Sequence, residues 1–155
     1  MEIELLIEFC KVVRGSTIKR LELIPSGYEN WKISPGSLSF AEIAKHLIDL
    51  DNWLLEKIRD PNVKSIETES AVIENCSKEG YRELIVDLNK VLEKKIEFIS
   101  TLDENKLKKK MYDDAYNTEV SLALLILRRN IDHEIHHRGQ IATYLRVLRD
   151  RDVII

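Results

Sequence analysis

The chain has 155 residues, of which 44% are hydrophobic and 33% are charged, and its formal net charge is −3. This balance is typical of one globular domain with its own core, and it argues against a disordered or membrane-spanning chain. The small acidic excess argues against nucleic acid as the main partner, and no apolar run is long enough to span a membrane. The acidic start and the two cysteines, Cys10 and Cys76, are atypical of a secreted protein, so we expect a single cytoplasmic domain over residues 1–155.

Helix one is predicted from about Glu4 to Leu23, with Gly15 as a weak point inside it. Only five glycines and three prolines occur in the chain, which favours a fold that is nearly all helix. The segment after helix one, "PSGYENWKISPG", concentrates prolines and glycines and therefore predicts a loop. The apolar stripe predicted to face the core in helix one contains Leu5, Phe9, Val12, Val13 and Leu21.

Helix two is predicted from Phe40 to about Ile58. Ser39 and Glu42 in "SFAE" form a capping box, in which each side chain satisfies a backbone N–H of the other residue. The helix should end before Pro61, because a residue that precedes proline avoids helical geometry. The following segment, "NVKSIETESAVIEN", has no clean period and predicts a long, loosely structured connection.

Helix three is predicted from about Lys78 to Leu102, because apolar residues recur there at spacings of three and four. "KLKKK", Lys106 to Lys110, lacks the interleaved aromatic residues that would stack on bases, and it predicts a solvated turn. Helix four is expected to begin after a cap at Asn117 or Thr118 and to continue to about Leu148. The apolar positions of helix three are Tyr81, Leu84, Leu88, Val91, Leu92, Ile96 and Ile99.

Four helices of this length, joined partly by long connections, favour a four-helix bundle. In helix four the run "LALLIL", Leu122 to Leu127, is apolar all the way round and has to be covered on every side. Two interpretations of this run remain open. Helix four either forms the interface of a homodimer or is the central helix of the monomer.

The stretch "HEIHHRGQ", residues 133–140, contains the H-E-x-x-H pattern of zinc peptidases. On a helix His133 and His137 point within about 40° of each other, so both imidazoles can bind one metal, whereas a pairing of His133 with His136 has poorer geometry. A peptidase also needs a third ligand downstream, and no histidine or glutamate follows residue 137. His46 lies on the apolar face of helix two and is either a core histidine or the third ligand.

Helical geometry also predicts the positions of other polar residues near His133 and His137, the pair that can bind one metal. Asn130 and Gln140 share the face of the pair, roughly one turn to either side, and are predicted to hydrogen-bond a bound water or substrate as catalytic residues. The alternative for both is a polar contact in the core. Asp49 lies one turn beyond His46. It is predicted either to orient an imidazole by a hydrogen bond or to occupy a solvated surface position. His136 and Arg138 are predicted to point away from the ligand face.

Two segments resemble the DinB/YfiT-like family of metal-binding four-helix bundles. "NWKISPGSLSFAEIAKHLIDLDNWLL" is similar to the family's tryptophan, proline turn and capped helix with one histidine, and "NIDHEIHHRGQIATYLRVL" to its H-x-x-x-H-x-x-Q helix. The resemblance implies an all-α, up-down-down-up bundle that is commonly dimeric, with metal ligands at His46, His133 and His137. It also implies a divalent metal such as zinc or nickel and, in some relatives, a low-molecular-weight thiol as cofactor.

Three imidazoles leave at least one coordination position of a metal open, which is characteristic of catalytic sites. We therefore consider three functions. The first is a metal-dependent enzyme of thiol-dependent transfer on a small-molecule substrate. The second is a metal-dependent hydrolase that uses water, and the third is a metal-binding stress or interaction module without turnover.

Overall fold

Four long helices pack together in the computed structural model, which describes residues 2–153 apart from the side chains of residues 68 and 69. They are α1 (Ile3–Leu21), α2 (Phe40–Arg59), α3 (Lys78–Ser100) and a last helix over residues 122–150. The first three begin and end within two residues of the predicted bounds. Met1, Ile154 and Ile155, which belong to the predicted domain, lie outside the described residues.

Helix α1 buries a different face from the predicted one. Leu5, Phe9 and Val12 of the predicted stripe are exposed, so the prediction is wrong for these three residues. The buried face includes Arg14 and Thr17, although polar side chains such as these are usually exposed to solvent. Gly15 does not interrupt the helix.

The capping box at the start of α2 is confirmed. Ser39 Oγ accepts a hydrogen bond from the Glu42 backbone N–H at 3.1 Å, and Glu42 Oε2 accepts one from the Ser39 N–H at 2.8 Å. The Glu42 carboxylate also accepts from Lys32 Nζ at 3.0 Å and from the Ile73 N–H at 3.2 Å. This residue therefore ties both the preceding loop and the following connection, which contains a 3₁₀ helix at Thr68–Ala71, to the start of α2.

A β-hairpin between α3 and the last helix was not predicted. After the short helix α4 (Glu104–Lys108), strand β1 (Lys110–Asp113) pairs antiparallel with β2 (Thr118–Ser121). The "KLKKK" segment is therefore not a simple turn, although its four lysines are exposed as expected and only Leu107 is buried.

The last helix begins later than predicted and is not uniform. Ser121, not Asn117 or Thr118, caps it, with its Oγ accepting from the Leu124 N–H at 3.2 Å. An α-helical turn, α5 (Leu122–Leu124), is followed by a π-helical segment and then by α6. Leu124 is 44% exposed, so the apolar run is not covered on every side. The π-helical segment spans Leu125–Ile131, and α6 spans Asp132–Asp150.

A buried network of charges joins the four long helices. The Arg14 guanidinium on α1 donates to Asp51 Oδ2 on α2 at 2.8 Å and to Glu134 Oε1 on α6 at 2.8 Å. Lys95 Nζ on α3 donates to Asp51 Oδ1 at 2.6 Å and to Asn130 Oδ1 at 3.0 Å. All five side chains are buried, and two positive charges face two negative ones. The network fixes the rotation of α6 about its axis, because Glu134 must face Arg14.

No helix within residues 2–153 is both long enough and apolar enough to cross a membrane.

Candidate metal site

Three imidazoles from α2 and α6 converge on one point. His46 lies in the middle of α2, and His133 and His137 lie one turn apart on α6. His133 Nε2 is 3.1 Å from His46 Nε2 and 3.0 Å from His137 Nε2. Nitrogens that share a zinc ion at about 2.0–2.1 Å stand roughly 2.9–3.4 Å apart for angles between 90° and 109°. Both distances from His133 Nε2 therefore fit a shared divalent cation, and one ligand nitrogen from each of the three rings lies within 4.8 Å of the others.

Hydrogen bonds alone account poorly for this arrangement. A neutral imidazole nitrogen carries either one proton or one lone pair, and His133 Nε2 faces two other ring nitrogens at once. A lone pair on His133 accepts from one neighbour only, and a proton there is shared between two acceptors. A cation accepts the lone pairs of all three rings, so it suits the cluster better than any set of tautomers.

Gln140 orients one of the three rings. His137 Nδ1–H donates to Gln140 Oε1 at 2.7 Å, which leaves the lone pair of His137 on Nε2, facing the cluster. The amide nitrogen of Gln140 lies 3.3 Å from His136 Nε2. Gln140 lies beside the pair, while its predicted contact with a bound water or substrate stays a prediction. The expectation that His136 points away is wrong, since His136 lines the same cavity.

The three rings are neutral near pH 7. Burial lowers the pKa of His46, His133 and His137 from 6.5 to about 4 in each case. The neighbouring imidazoles act in the same direction, because a positive charge on one ring disfavours protonation of the next. Neutral imidazole is the form that binds metals, so the cluster is ready to bind one without first losing protons.

A cavity of about 510 Å³ opens over the rings on the α6 side. Its other walls are the loop at residues 36–38, Tyr116 at the tip of the hairpin, and the side chains of Arg128 and Arg129. The loop is held by the Tyr144 hydroxyl, which donates to the Leu38 carbonyl at 3.1 Å. His46 lies behind the cavity, so a molecule that enters meets the cluster from the side of His133 and His137.

Asn130 does not lie in this cavity. Its amide donates to Asp51 Oδ1 at 2.8 Å and accepts from Lys95, and the residue is buried within the charge network. The catalytic position predicted for Asn130 is therefore not supported. The prediction assumed 100° per residue throughout, whereas Asn130 lies in the π-helical segment, where each residue turns less.

Asp49 does not contact an imidazole. Its carboxylate pairs with Lys45 Nζ at 2.5 Å, one turn away on the same helix. His46 Nδ1 is buried and has no hydrogen-bond partner among the described residues. The orienting role suggested for Asp49 is therefore absent from this arrangement of α2.

Glu134, the glutamate of the H-E-x-x-H pattern, faces away from the rings and pairs with Arg14. A peptidase would need this carboxylate beside the metal as its base. The pattern is therefore coincidental here, as the lack of a downstream ligand already suggested.

Sequence reasoning missed the contribution of Arg129 and the hairpin to the site. The Arg129 guanidinium lies over the Trp53 ring at 5.4 Å and the Tyr116 ring at 5.7 Å, and it donates to Ser65 Oγ at 2.7 Å. Arg129 Nε is also 3.4 Å from the buried Asp113 carboxylate. These contacts hold the hairpin against the last helix and place Tyr116 at the cavity. No motif marks them, because they join four separate parts of the chain.

Comparisons with known proteins agree on one type of fold. The model of the DinB family matches residues 2–150. A DinB-like protein (YjoA) of Bacillus subtilis is 22% identical, with coverage of 92% of this chain and 90% of that chain and a TM-score of 0.68. A DinB-like protein of Bacillus cereus is 18% identical, with coverage of 90% and 86% and a TM-score of 0.65.

A third solved structure is YfiT from Bacillus subtilis, described as a probable metal-dependent hydrolase with an unusual four-helix bundle topology. It is 12% identical, covers 93% of this chain and 87% of its own, and has a TM-score of 0.72. No curated protein matches the chain. The predicted all-α bundle of the DinB/YfiT type is thus confirmed, while at these identities the neighbours establish the fold alone.

Proposed function

This chain belongs to the DinB family, and from that premise we propose that it is a metal-dependent enzyme acting on a small molecule. His46, His133 and His137 would hold a divalent cation, with zinc or nickel as the first choices. The observation that carries the proposal is the convergence of three neutral Nε2 atoms beside a cavity.

Bound there, the cation would supply Lewis-acid chemistry and would lower the pKa of a thiol or a water molecule. The protein provides the rest of the environment. Gln140 keeps the lone pair of His137 directed at the cluster, and the burial of the rings keeps them unprotonated. The cavity admits the substrate on one side only, because His46 and α2 close the other side.

Among possible reactions we favour transfer to a low-molecular-weight thiol. In such a step the thiolate sulfur attacks an electrophilic carbon, a carbon–sulfur bond forms, and the leaving group departs with its electron pair. The thiol proton passes to solvent. No further base is needed once the thiol is ionised. This suits the site, because Glu134 faces away from the cavity and pairs with Arg14, and Asp132 at the cavity pairs with Arg128.

The alternative is a metal-dependent hydrolase, which the description of YfiT favours. This reaction needs a base for the attacking water, and Asp132 is the carboxylate that lines the cavity. Asp132 Oδ2 is 3.6 Å from Arg128 Nη1, and both side chains are more than half exposed. This carboxylate is largely exposed to solvent and pairs with Arg128, so we rank hydrolysis second.

Two assays on zinc- and nickel-loaded protein distinguish the candidates. One follows conjugation of 1-chloro-2,4-dinitrobenzene with glutathione, cysteine or coenzyme A, and the other follows hydrolysis of p-nitrophenyl acetate without thiol. Thiol transfer predicts metal-dependent conjugation that is lost in His133→Ala, and hydrolysis predicts ester cleavage that is lost in the same variant. Stoichiometric metal binding with neither activity would instead support a metal-binding module without turnover.

A further inference from the structure

A second pocket, of about 280 Å³, adjoins the histidine cavity. It lies between the hairpin and the start of the last helix. Tyr116 and Arg128 line both the pocket and the histidine cavity, so these two side chains form a wall that the two spaces share. Because Tyr116 and Arg128 are more than half exposed, they can change rotamer and open one space into the other.

The pocket is mainly apolar, unlike the cavity over the rings. Its lining includes Val120 of β2, Leu124 of α5 and Tyr116, and the polar residues Asp113 and Thr118 also line it. Leu124 is 44% exposed and Tyr116 is 59% exposed, so both present carbon surface to solvent beside the site. Covering such surface is favourable in proportion to the area removed from water.

We propose that the substrate of the histidine site carries an apolar arm, which occupies this pocket while the reactive end faces the rings. The inference rests on the proposed function, since it takes the histidine cavity as the place of reaction. The shared wall of Tyr116 and Arg128 supports a single molecule that spans both spaces. A volume of about 280 Å³ suits part of a small molecule rather than a protein segment.

Arg128 adds a preference for an anionic group at the junction. Its guanidinium is 57% exposed, and Asp132, its carboxylate neighbour at 3.6 Å, forms only a surface ion pair with it. Such pairs contribute little, so a ligand carboxylate can replace Asp132 without a large loss. The aliphatic stem of Arg128 meanwhile contributes to the apolar lining. A straight-chain carboxylate is therefore a suitable probe of the pocket.

The test is a titration of metal-free and zinc-loaded protein with butanoate, hexanoate and octanoate, followed by backbone amide shifts in two-dimensional NMR spectra. We expect affinity to rise about fourfold for each added methylene, because each methylene leaves water on entering the pocket. The shifts should concentrate on residues 116–128. Affinity that does not change with chain length, or shifts located elsewhere, would overturn the proposal.

Leu124→Glu and Leu5→Glu form a matched pair of variants. Both replace an exposed leucine with a charge, but Leu5 lies on α1, away from the pocket. Glutamate at position 124 is compatible with folding, because a third helical residue after the Ser121 cap favours glutamate. We expect octanoate affinity to fall at least tenfold in Leu124→Glu and to stay within twofold in Leu5→Glu. Equal effects of the two substitutions would contradict a role for the pocket.

The two proposals fail in different ways. If the chain-length dependence is present in metal-free protein but neither conjugation nor hydrolysis is found, the proposed function fails and the pocket remains. If metal-dependent turnover is found but affinity is independent of chain length, the pocket proposal fails and the enzyme remains.

Discussion

Gln140 determines how well His137 can serve as a ligand, because its Oε1 is the acceptor for His137 Nδ1–H. Gln140→Leu removes that acceptor while keeping similar volume, so the His137 ring is free to rotate or to change tautomer. We expect zinc affinity, measured by competition with a chromophoric chelator, to fall about 10- to 100-fold, the usual effect of losing such a contact. Gln140→Glu keeps an acceptor at this place and should restore most of the affinity; equal losses in both variants would contradict the orienting role.

His136 and His137 are adjacent in sequence but differ in their relation to the cluster. The Nε2 of His137 faces His133 at 3.0 Å, whereas the His136 ring is exposed at the cavity mouth. We expect His46→Ala and His137→Ala to lose stoichiometric zinc in elemental analysis after dialysis, because each removes one of three ligands. His136→Ala serves as the control and should retain it. Equal loss in His136→Ala would mean that the ligand set is assigned incorrectly.

The candidate site could be predicted where it depends on local spacing and not where it depends on tertiary contacts. His133 and His137 are one helical turn apart in any helix, and His46 lies on the apolar face of a well-marked helix. Asn130 has the same kind of spacing, but a π-helical segment and the attraction of Asp51 and Lys95 place it in the core. A helical wheel contains neither of these influences.

At the scale of elements, the start of α2 is a point where sequence and stability can be linked directly. Ser39→Ala removes the acceptor for the Glu42 N–H and leaves a buried donor unpaired. We expect a loss of about 1–2 kcal/mol in the free energy of unfolding, measured with urea. Ser77→Ala at the start of α3 removes a single exposed cap, from the Gly80 N–H, and should cost about 0.5–1 kcal/mol. A larger loss of stability in Ser77→Ala than in Ser39→Ala would contradict a special contribution from the capping box of Ser39 and Glu42.

The long helices were predictable because their caps and apolar spacing are repeated over many residues. The hairpin was not, because each strand has four residues and shows too little alternation to be distinguished from a loop. The buried face of α1 was also predicted incorrectly. Arg14 and Thr17 are buried there, and their polar character hides the true stripe, while Leu5, Phe9 and Val12 stay exposed. The homodimer predicted through helix four stays a prediction.

At the scale of the whole molecule, the buried charge network explains why polar residues occupy the centre of the bundle. Each long helix contributes to it, so the network specifies which faces of the helices meet. Sequence alone gives no sign of it, because its members are separated by up to 120 residues and each one is usually exposed. Its consequence for function is positional: Glu134 holds one face of α6 toward Arg14, which leaves His133 and His137 facing His46.

Asp51 is the centre of this network, because it accepts from Arg14, Lys95 and Asn130. Asp51→Asn leaves two buried cations facing a single carboxylate. We expect a loss of about 3–5 kcal/mol in the free energy of unfolding at pH 7, the usual cost of breaking a buried ion pair from one side. Asp87→Asn is the control. Asp87 forms an exposed pair with Lys90 at 3.3 Å, and its loss should change stability by less than about 0.5 kcal/mol.

The stability lost in Asp51→Asn should depend on pH, because it depends on the charge of the Asp51 carboxylate. Burial by itself would raise the pKa of this carboxyl group, but Lys95 and Arg14 beside it outweigh burial and hold the pKa below 3.8. Because the pKa is lower in the folded than in the unfolded chain, the stabilisation is complete above pH 3.8 and is lost as the pH falls through the folded-state value. Urea unfolding of the wild type and Asp51→Asn should therefore differ by a constant amount between about pH 5 and pH 8 and converge in stronger acid. A difference that already shrinks between pH 7 and pH 5 would show that a group other than this carboxylate carries the stabilisation.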